Sequence, residues 1–184
     1  TSHSVFWEGP DKKSIKSQIP KQVIIEEEFL KSIPNEVLSN TRYDAVSHCL
    51  DSMWSIHRTK ESIKLCERSL EILKSPASNK DLIIAGNLAG KAINLCPTTI
   101  LHSFSYPLTG FYNVPHGKGL GAVLQPVCDY MDFDVSPYLF ESTPKLPDID
   151  CDLVAREINK YKKILDISCK IGYNDIYQIL ESIE

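Results

Sequence analysis

The sequence predicts a mainly α fold, a helical bundle with a short β-strand remnant at its N-terminal edge. Apolar residues recur at the 3–4-residue spacing of helices over most of the chain, whereas strand-like runs occur only near the N-terminus. The 184 residues are 42% apolar and 24% charged, a balance typical of one globular domain with a sizeable core.

Three short apolar runs near the N-terminus predict strands: residues 5–7, the region around Ile15, and residues 23–25. The Gly-Pro-Asp stretch at 9–11 is typical of a turn between the first two runs. A short helix or turn is expected over 26–30. Pro34 is then suited to start a further helix over 35–38, because its fixed φ matches the first helical position.

The remaining chain is predicted to be helical wherever apolar residues follow the 3, 4, 7 spacing. The predicted helices are 41–56, 61–73, 81–95, 98–106, 119–130, 152–171, and a last helix capped by Asn174. Residues 107–117 are predicted to be partly loop, and 137–147 irregular. Gly86 and Gly90 lie inside one helix at a cost of about 1 kcal/mol each relative to Ala, so a closely packed neighbour is expected there.

Charge and hydropathy exclude two classes of function. The chain has 20 basic and 24 acidic residues, a formal charge of −4 and a pI near 5.7, and therefore lacks the basic surface of a nucleic-acid binder. Its apolar runs are far shorter than the ~20 residues of a membrane helix. The chain begins without Met and enters a strand almost at once. We therefore expect it to be a fragment of a longer protein.

The six cysteines are widely spaced and include no Cys-x-x-Cys pair, which excludes a zinc knuckle and a redox motif. Several occupy apolar positions of predicted helices, where a free thiol acts as a small hydrophobic side chain. These features favour reduced, buried, structural cysteines in a cytoplasmic protein.

Two pairs of residues are candidates for chemistry. Asp44 and His48 are four residues apart on a predicted helix, so both project from one face. His102 and His116 are separated by a mostly apolar stretch with two Pro and one Gly, which could fold back and bring both imidazoles to one point. Taken singly, each pair also fits an ordinary helix-terminal Asp and hydrogen-bonded core histidines.

Together, three imidazoles and one carboxylate form a suitable ligand set for a borderline divalent metal ion, Fe(II) or Zn(II). Such an ion is a Lewis acid that lowers the pKa of a bound hydroxyl or polarises a carbonyl. Dehydrogenation and hydrolysis both fit this chemistry, and the spacing does not choose between them.

Three stretches of the chain resemble the iron-containing (group III) alcohol dehydrogenase family. They are DAVSHCLDS at 44–52, AGKAIN at 89–94, and HSFSYPLTGFYNVPHG at 102–117, which resembles the family signature. The resemblance extends over about residues 1–130. It implies an oxidoreductase in which Asp44, His48, His102 and His116 are the metal ligands.

The resemblance also implies a division of labour within a dehydroquinate synthase-like fold. In the family, an N-terminal α/β domain binds NAD(P) and an all-helical C-terminal domain holds the metal. Residues 1–30 would be residual strands of the missing nucleotide-binding domain, and 31–184 the all-helical catalytic domain. The Gly-Gly-Gly-Ser phosphate-binding turn of the family is absent. We therefore expect this chain to bind a divalent metal but not to oxidise alcohols alone.

Tyr106 departs from the family pattern, because many members carry a second histidine at this position, near the nicotinamide. A tyrosine there is either a proton relay or a wall of the pocket. Together with its surroundings it resembles the phosphonoacetaldehyde reductase branch, which implies a small alcohol or aldehyde substrate, in that case a phosphonate. Phe104, Phe111 and Tyr112 are further candidates for the cleft lining or for the core.

Two other functions remain open at this point: a non-catalytic helical module with structural histidines, and a standalone metal-dependent hydrolase. The choices of iron or zinc and of NAD or NADP also remain open. A homo-oligomer is compatible with the sequence.

Overall fold

The computed structural model describes residues 3–74, 78–139 and 143–183. Within these ranges it contains two strands and seven α-helices, which confirms the predicted mainly α class with a small β element at the N-terminus. The elements are β1 (His3–Glu8), β2 (Asp11–Lys16), α1 (Asn35–Trp54), α2 (Lys60–Leu73), α3 (Asn79–Leu95), α4 (Ile100–Tyr112), α5 (His116–Tyr130), α6 (Cys151–Asn159) and α7 (Tyr173–Glu181). Short 3₁₀ helices occupy Glu27–Leu30, Ser136–Tyr138 and Lys162–Leu165.

The two strands form an antiparallel hairpin whose last pair is Glu8 with Asp11. Gly9 in the turn has a φ of 59°, a left-handed conformation that glycine adopts without steric cost. The predicted strand at 23–25 is wrong: this segment is irregular, and Ile24 is 80% exposed. A strand needs a neighbour for its backbone N–H and C=O groups, and the sheet described here contains only β1 and β2.

Helix α1 is the central element of the bundle and packs against α2, α3, α4 and α5. The predicted helices 35–38 and 41–56 are one continuous helix. Its buried residues include small polar side chains as well as apolar ones, because neighbours surround it on several sides. Val46 and Leu50 of this helix are fully buried in the same core as Phe104 of α4 and Leu124 of α5.

Helices α4 and α5 are joined by a connection of three residues, 113–115. Helix α4 runs through Pro107 and extends beyond the predicted end at Tyr106, and the packing of fully buried Leu108 favours this continuation. Asn113 ends the helix with a φ of 54° and donates its N–H to the carbonyl of Thr109. Asparagine is one of the few residue types other than glycine that readily adopt this left-handed conformation at the C-terminal end of a helix. The tight connection returns the chain to pack against α4.

The predicted single helix over 152–171 is wrong, because α6 ends at Asn159. Beyond it, the backbone of Asp166 and Ser168 is hydrogen-bonded to residues at the end of α1: Asp166 accepts from Ile56 and Ser168 donates to Trp54. These long-range bonds replace the helical ones. The last helix starts at Tyr173, so the predicted Asn174 cap is also wrong; the N–H of Gly172 instead donates to the side chain of Asp175.

The fold also bears on the predictions for the helical glycines, the cysteines, the irregular segment and membrane spans. Gly86 and Gly90 have open space where a Cβ would lie, so none of the described residues is the close neighbour that was predicted. All six cysteines are free, and five are buried as predicted, whereas Cys169 is exposed. In the predicted irregular segment 137–147, residues 140–142 lie outside the described residues. No helix in the described ranges is both long and apolar enough to span a bilayer.

Candidate metal centre

The carboxylate of Asp44 is the centre of a cluster built on three helices. Asp44 and His48 lie one turn apart on α1, as their spacing predicts, with His48 Nε2 3.4 Å from Asp44 Oδ1. His102 lies in α4, and its Nε2 is also 3.4 Å from Asp44 Oδ1. His116 is the first residue of α5, and its Nε2 lies 3.5 Å from the same oxygen. The structure therefore brings all four predicted residues to one point.

The rings of the three histidines surround this point closely. His48 and His102 are stacked with centroids 4.4 Å apart, and the centroids of His102 and His116 are 5.2 Å apart. Possible ligand atoms of Asp44, His48 and His102 all lie within 4.8 Å of one another. Asp44 Oδ1 and His102 Nε2 are buried, and neither atom has a hydrogen-bond partner among the described residues. Such unsatisfied buried groups are costly unless a further partner is present, and a cation would provide one.

Asp51 fixes the orientation and the tautomer of His102. Its Oδ2 lies 2.8 Å from His102 Nδ1, and both residues are buried. Burial alone would raise the pKa of the Asp51 carboxyl, but the hydrogen bond and charge of His102 keep this pKa below its usual value. The ionised carboxylate accepts a hydrogen bond from the Nδ1–H group, which turns Nε2 of the ring towards Asp44.

Ser105 has the corresponding role for His116. The hydroxyl of Ser105 donates to the carbonyl of His102 at 3.0 Å, which leaves its oxygen free to accept from another group. His116 Nδ1 lies 3.2 Å from that oxygen, and the donor must therefore be the imidazole N–H. Nε2 of His116 then also faces Asp44.

The electrostatics of the cluster keep Asp44 ionised. Burial would raise the pKa of its carboxyl, but His48, His102 and His116 together hold this pKa well below the usual value. Burial and the neighbouring His102 lower the pKa of His48, which favours the neutral imidazole. A divalent cation requires an ionised carboxylate and neutral imidazoles as ligands, and the pKa shifts of Asp44 and His48 favour these states.

Tyr106 lies one turn after His102 on α4 and contacts two of the histidines. Its ring is stacked on His116 with centroids 6.2 Å apart and meets His102 edge-on at 6.3 Å. The hydroxyl accepts hydrogen bonds from Lys12 of β2 at 2.8 Å and from Lys163 at 2.6 Å. Burial raises the pKa of this hydroxyl, so it stays protonated in the neutral pH range.

A cavity of about 600 Å³ opens beside the cluster, between the hairpin and the helices. His48, His102, His116 and Tyr106 line it. The other aromatic candidates for its lining do not: Phe104 is fully buried in the core, Phe111 is 41% exposed, and the Tyr112 hydroxyl accepts a hydrogen bond from the N–H of Asp150. Core packing and surface positions explain these three residues.

Sequence reasoning missed four residues of this site. Asp51 follows His48 by three positions on α1, so the helical spacing itself contained a signal for it. Ser105 follows His102 by three positions on α4, in the same way. Lys12 and Lys163 are near opposite ends of the chain, and no local pattern connects them to Tyr106.

Comparisons with known proteins show the family of the chain. Residues 39–149 match the model of the C-terminal region of the Fe-containing alcohol dehydrogenase family. The chain is 27% identical over 119 residues to the long-chain-alcohol dehydrogenase 1 of Geobacillus thermodenitrificans, covering 59% of this chain and 30% of the relative. It is 27% identical over 122 residues to the phosphonoacetaldehyde reductase of Streptomyces viridochromogenes, covering 60% of this chain and 31% of the relative.

A solved structure shows that the fold extends over the whole chain. The sulfoacetaldehyde reductase from Bifidobacterium kashiwanohense, solved in complex with NAD⁺, superimposes on all of this chain and 60% of its own with a TM-score of 0.85 and 16% identity. The chain spans about a third of the length of the two curated relatives above. Their equal identities do not separate the reductase branch from the others. The family match covers more than half of the sequence, and the chain belongs to the Fe-containing alcohol dehydrogenase family, in which it matches the C-terminal region.

Proposed function

We propose that this chain is the metal-binding helical domain of an alcohol dehydrogenase or aldehyde reductase, with Asp44, His48, His102 and His116 holding one divalent cation. The observation that supports this most strongly is the position of Asp44 Oδ1, 3.4–3.5 Å from Nε2 of all three histidines. Two of these atoms, Asp44 Oδ1 and His102 Nε2, are buried and have no hydrogen-bond partner among the described residues, which fits a shared cation. Iron(II) and zinc(II) both accept this ligand set.

When bound, the cation would supply Lewis acidity to the oxygen of a small alcohol or aldehyde. The chain supplies the position of that oxygen, because the imidazoles are held by Asp51 and Ser105 and line one end of the cavity. The hydride would pass to or from NAD(P) held by a separate nucleotide-binding domain, of which residues 1–30 would be the last part. The cavity between the hairpin and the helices would then form one wall of the cleft.

Tyr106 is proposed as the proton-handling residue of the site. Its hydroxyl is in hydrogen-bond contact with Lys163 Nζ at 2.6 Å, and its ring contacts His102 and His116. A proton at Tyr106 Oη can therefore be exchanged with the Lys163 amine inside the cavity. The alternative, in which Tyr106 only shapes the pocket, predicts that Tyr106→Phe has little effect on turnover in the complete enzyme.

Metal content and NAD(P)-dependent turnover, measured on the same sample of this chain, test the proposal. We expect one divalent cation per chain and no alcohol oxidation, since the nucleotide-binding turn of the family is absent from this sequence. Hydrolysis of ester substrates by the metal-loaded chain would support the standalone hydrolase instead. Robust NAD(P)-dependent turnover would contradict the assignment of this chain as a fragment.

His48→Ala distinguishes the metal site from a non-catalytic module with structural histidines. We expect the variant to lose most of its bound metal while changing the free energy of unfolding only modestly. His57→Ala is the matched control, because the His57 side chain is exposed and, among the described residues, its ring forms an ion pair with Asp166 at the surface. If His48→Ala unfolds the chain and wild type never binds metal, the structural role is correct.

The location and assembly of the protein remain predictions. The free cysteines agree with a reducing, cytoplasmic setting. A homo-oligomer would be detected by the molar mass of the chain in solution.

A further inference from the structure

The cavity beside the metal centre has an uneven charge. Its lining includes two lysines, Lys12 from β2 and Lys163 from the 3₁₀ helix that follows α6. None of the described residues that line it is Asp or Glu. The carboxylates of the adjacent histidine cluster, Asp44 and Asp51, contact His102 instead of lining the cavity. Among the described lining residues, the amino groups that face the open part of the cavity are therefore those of Lys12 and Lys163, and Asp44 acts on Lys12 from longer range.

The two lysines converge on a single small area. Both Nζ atoms are within 2.8 Å of the Tyr106 hydroxyl, and both lie about 4 Å above its ring, at 4.1 Å for Lys12 and 4.0 Å for Lys163. Lys163 also contacts the Thr98 hydroxyl at 3.2 Å. Within the described ranges neither lysine forms an ion pair shorter than 4.0 Å.

Holding two ammonium groups together in a partly buried cavity is unfavourable without an anion. Burial and the repulsion from Lys12 lower the pKa of Lys163 to about 7, and burial also lowers the pKa of Lys12. A bound oxyanion would relieve the repulsion and accept charge-assisted hydrogen bonds from both amines. A neutral alkyl group would leave both amines without such a partner.

We propose that Lys12 and Lys163 form a subsite for the anionic end of the substrate, a carboxylate, sulfonate or phosphonate, while its alcohol or aldehyde oxygen points to the histidines. The proposal rests on the proposed function and narrows its substrate class to short anionic aldehydes and alcohols. Tyr106 bridges the two parts of the site, because its ring contacts His102 and His116 and its hydroxyl contacts the lysines.

Calorimetric titration of the metal-free chain with methylphosphonate at pH 6.5 tests the subsite directly. The variants are Lys12→Met and Lys163→Met, which keep the length of the side chain but remove its charge. The matched controls are Lys13→Met and Lys162→Met, exposed lysines adjacent to each of them. We expect each cavity variant to weaken methylphosphonate binding at least tenfold and each control to change it less than twofold. Equal binding by wild type and both cavity variants would overturn the proposal.

Two further arms separate the possible outcomes. In the first arm, the lysine variants are titrated with zinc(II) and should bind it as tightly as wild type, since the lysines are not ligands. If wild type does not bind zinc(II) while methylphosphonate binding depends on the lysines, the proposed function fails but the anion subsite stands. The second arm uses ADP, because a cofactor diphosphate offers the same oxyanion chemistry. Lysine-dependent ADP binding at least tenfold tighter than methylphosphonate binding would overturn the assignment to substrate.

Discussion

Asp51 and His102 are 51 residues apart in the sequence, yet Asp51 Oδ2 and His102 Nδ1 form a buried hydrogen bond of 2.8 Å. The same carboxylate accepts the backbone N–H of Leu101 at 2.9 Å and of His102 at 3.2 Å. These are unpaired donors of the first turn of α4, whose own N-cap residue provides no side-chain bond. Asp51 thus fixes the start of α4 against α1 and the orientation of the imidazole at the same time.

Asp51→Asn is expected to weaken zinc(II) binding by about 10–100-fold, the usual effect of removing the partner of a metal-bound histidine. It should also lower the free energy of unfolding by about 1–3 kcal/mol, since a buried charge-assisted bond is lost. Calorimetric titration and chemical denaturation measure the two effects. Asp129→Asn is the control, because the Asp129 side chain is at the surface and, in the described part of the chain, accepts a hydrogen bond from Gln125. Unchanged zinc affinity in Asp51→Asn would show that His102 does not need this partner.

Gly117→Ala should reduce metal affinity, because Gly117 follows His116 at the start of α5 and lies against the backbone of α1. A Cβ at this position would overlap the carbonyl oxygen of Asn40, so α5 would have to shift and carry His116 with it. Gly119→Ala tests the same helix two residues later, where a Cβ finds only ordinary contacts of 3.7 Å. Thermal unfolding and zinc titration should show a loss for Gly117→Ala only, and a gain of up to about 1 kcal/mol in stability for Gly119→Ala. Equal behaviour of the two variants would contradict the close packing.

The pH dependence of stability should carry a contribution from Lys163. Its pKa is about 7 in the folded chain and near the usual 10.5 when unfolded, so the unfolded chain binds more protons between these values. Stability from this group therefore rises with pH, by about 2 kcal/mol between pH 7 and 9. The groups that face Lys163 are Lys12 on β2, Tyr106 on α4 and, at longer range, Asp51 on α1.

Denaturation of wild type and Lys163→Met at pH 7, 8 and 9 measures this contribution. The variant should be relatively more stable than wild type at pH 7, and the difference should shrink as the pH rises. Lys162→Met should show the wild-type pH dependence, because its amine is exposed. A constant difference between Lys163→Met and wild type over this range would contradict the lowered pKa.

Local spacing was sufficient to predict what lies within one helix or across one tight connection. Asp44 and His48 are adjacent on α1 by helical periodicity, and the Pro- and Gly-containing stretch does return His116 to His102. The predictions of a strand at 23–25 and of a helix at 152–171 were wrong because both segments depend on partners that are distant in the sequence. Whether an apolar run forms a strand depends on a partner strand, and the backbone near Asp166 and Ser168 pairs with the distant end of α1.

Contacts between distant segments could not be predicted from any local pattern. Lys12 and Lys163 meet at Tyr106 only because the hairpin and the 3₁₀ helix after α6 fold onto the same face of α4. The charge of the cavity, and with it the proposed substrate class, is therefore a property of the tertiary structure. The family resemblance implies the four metal ligands but gives no role for these two lysines.

The metal site is tested most directly by anomalous diffraction from crystals of this chain grown with zinc(II), recorded on both sides of the zinc absorption edge. The expected result is one strong anomalous peak about 2.0–2.2 Å from Asp44 Oδ1 and from Nε2 of His48, His102 and His116. His48→Ala crystals grown in the same way should lose most of this peak. Anomalous peaks only at other positions, with the three imidazoles unliganded, would contradict the proposed function at its foundation.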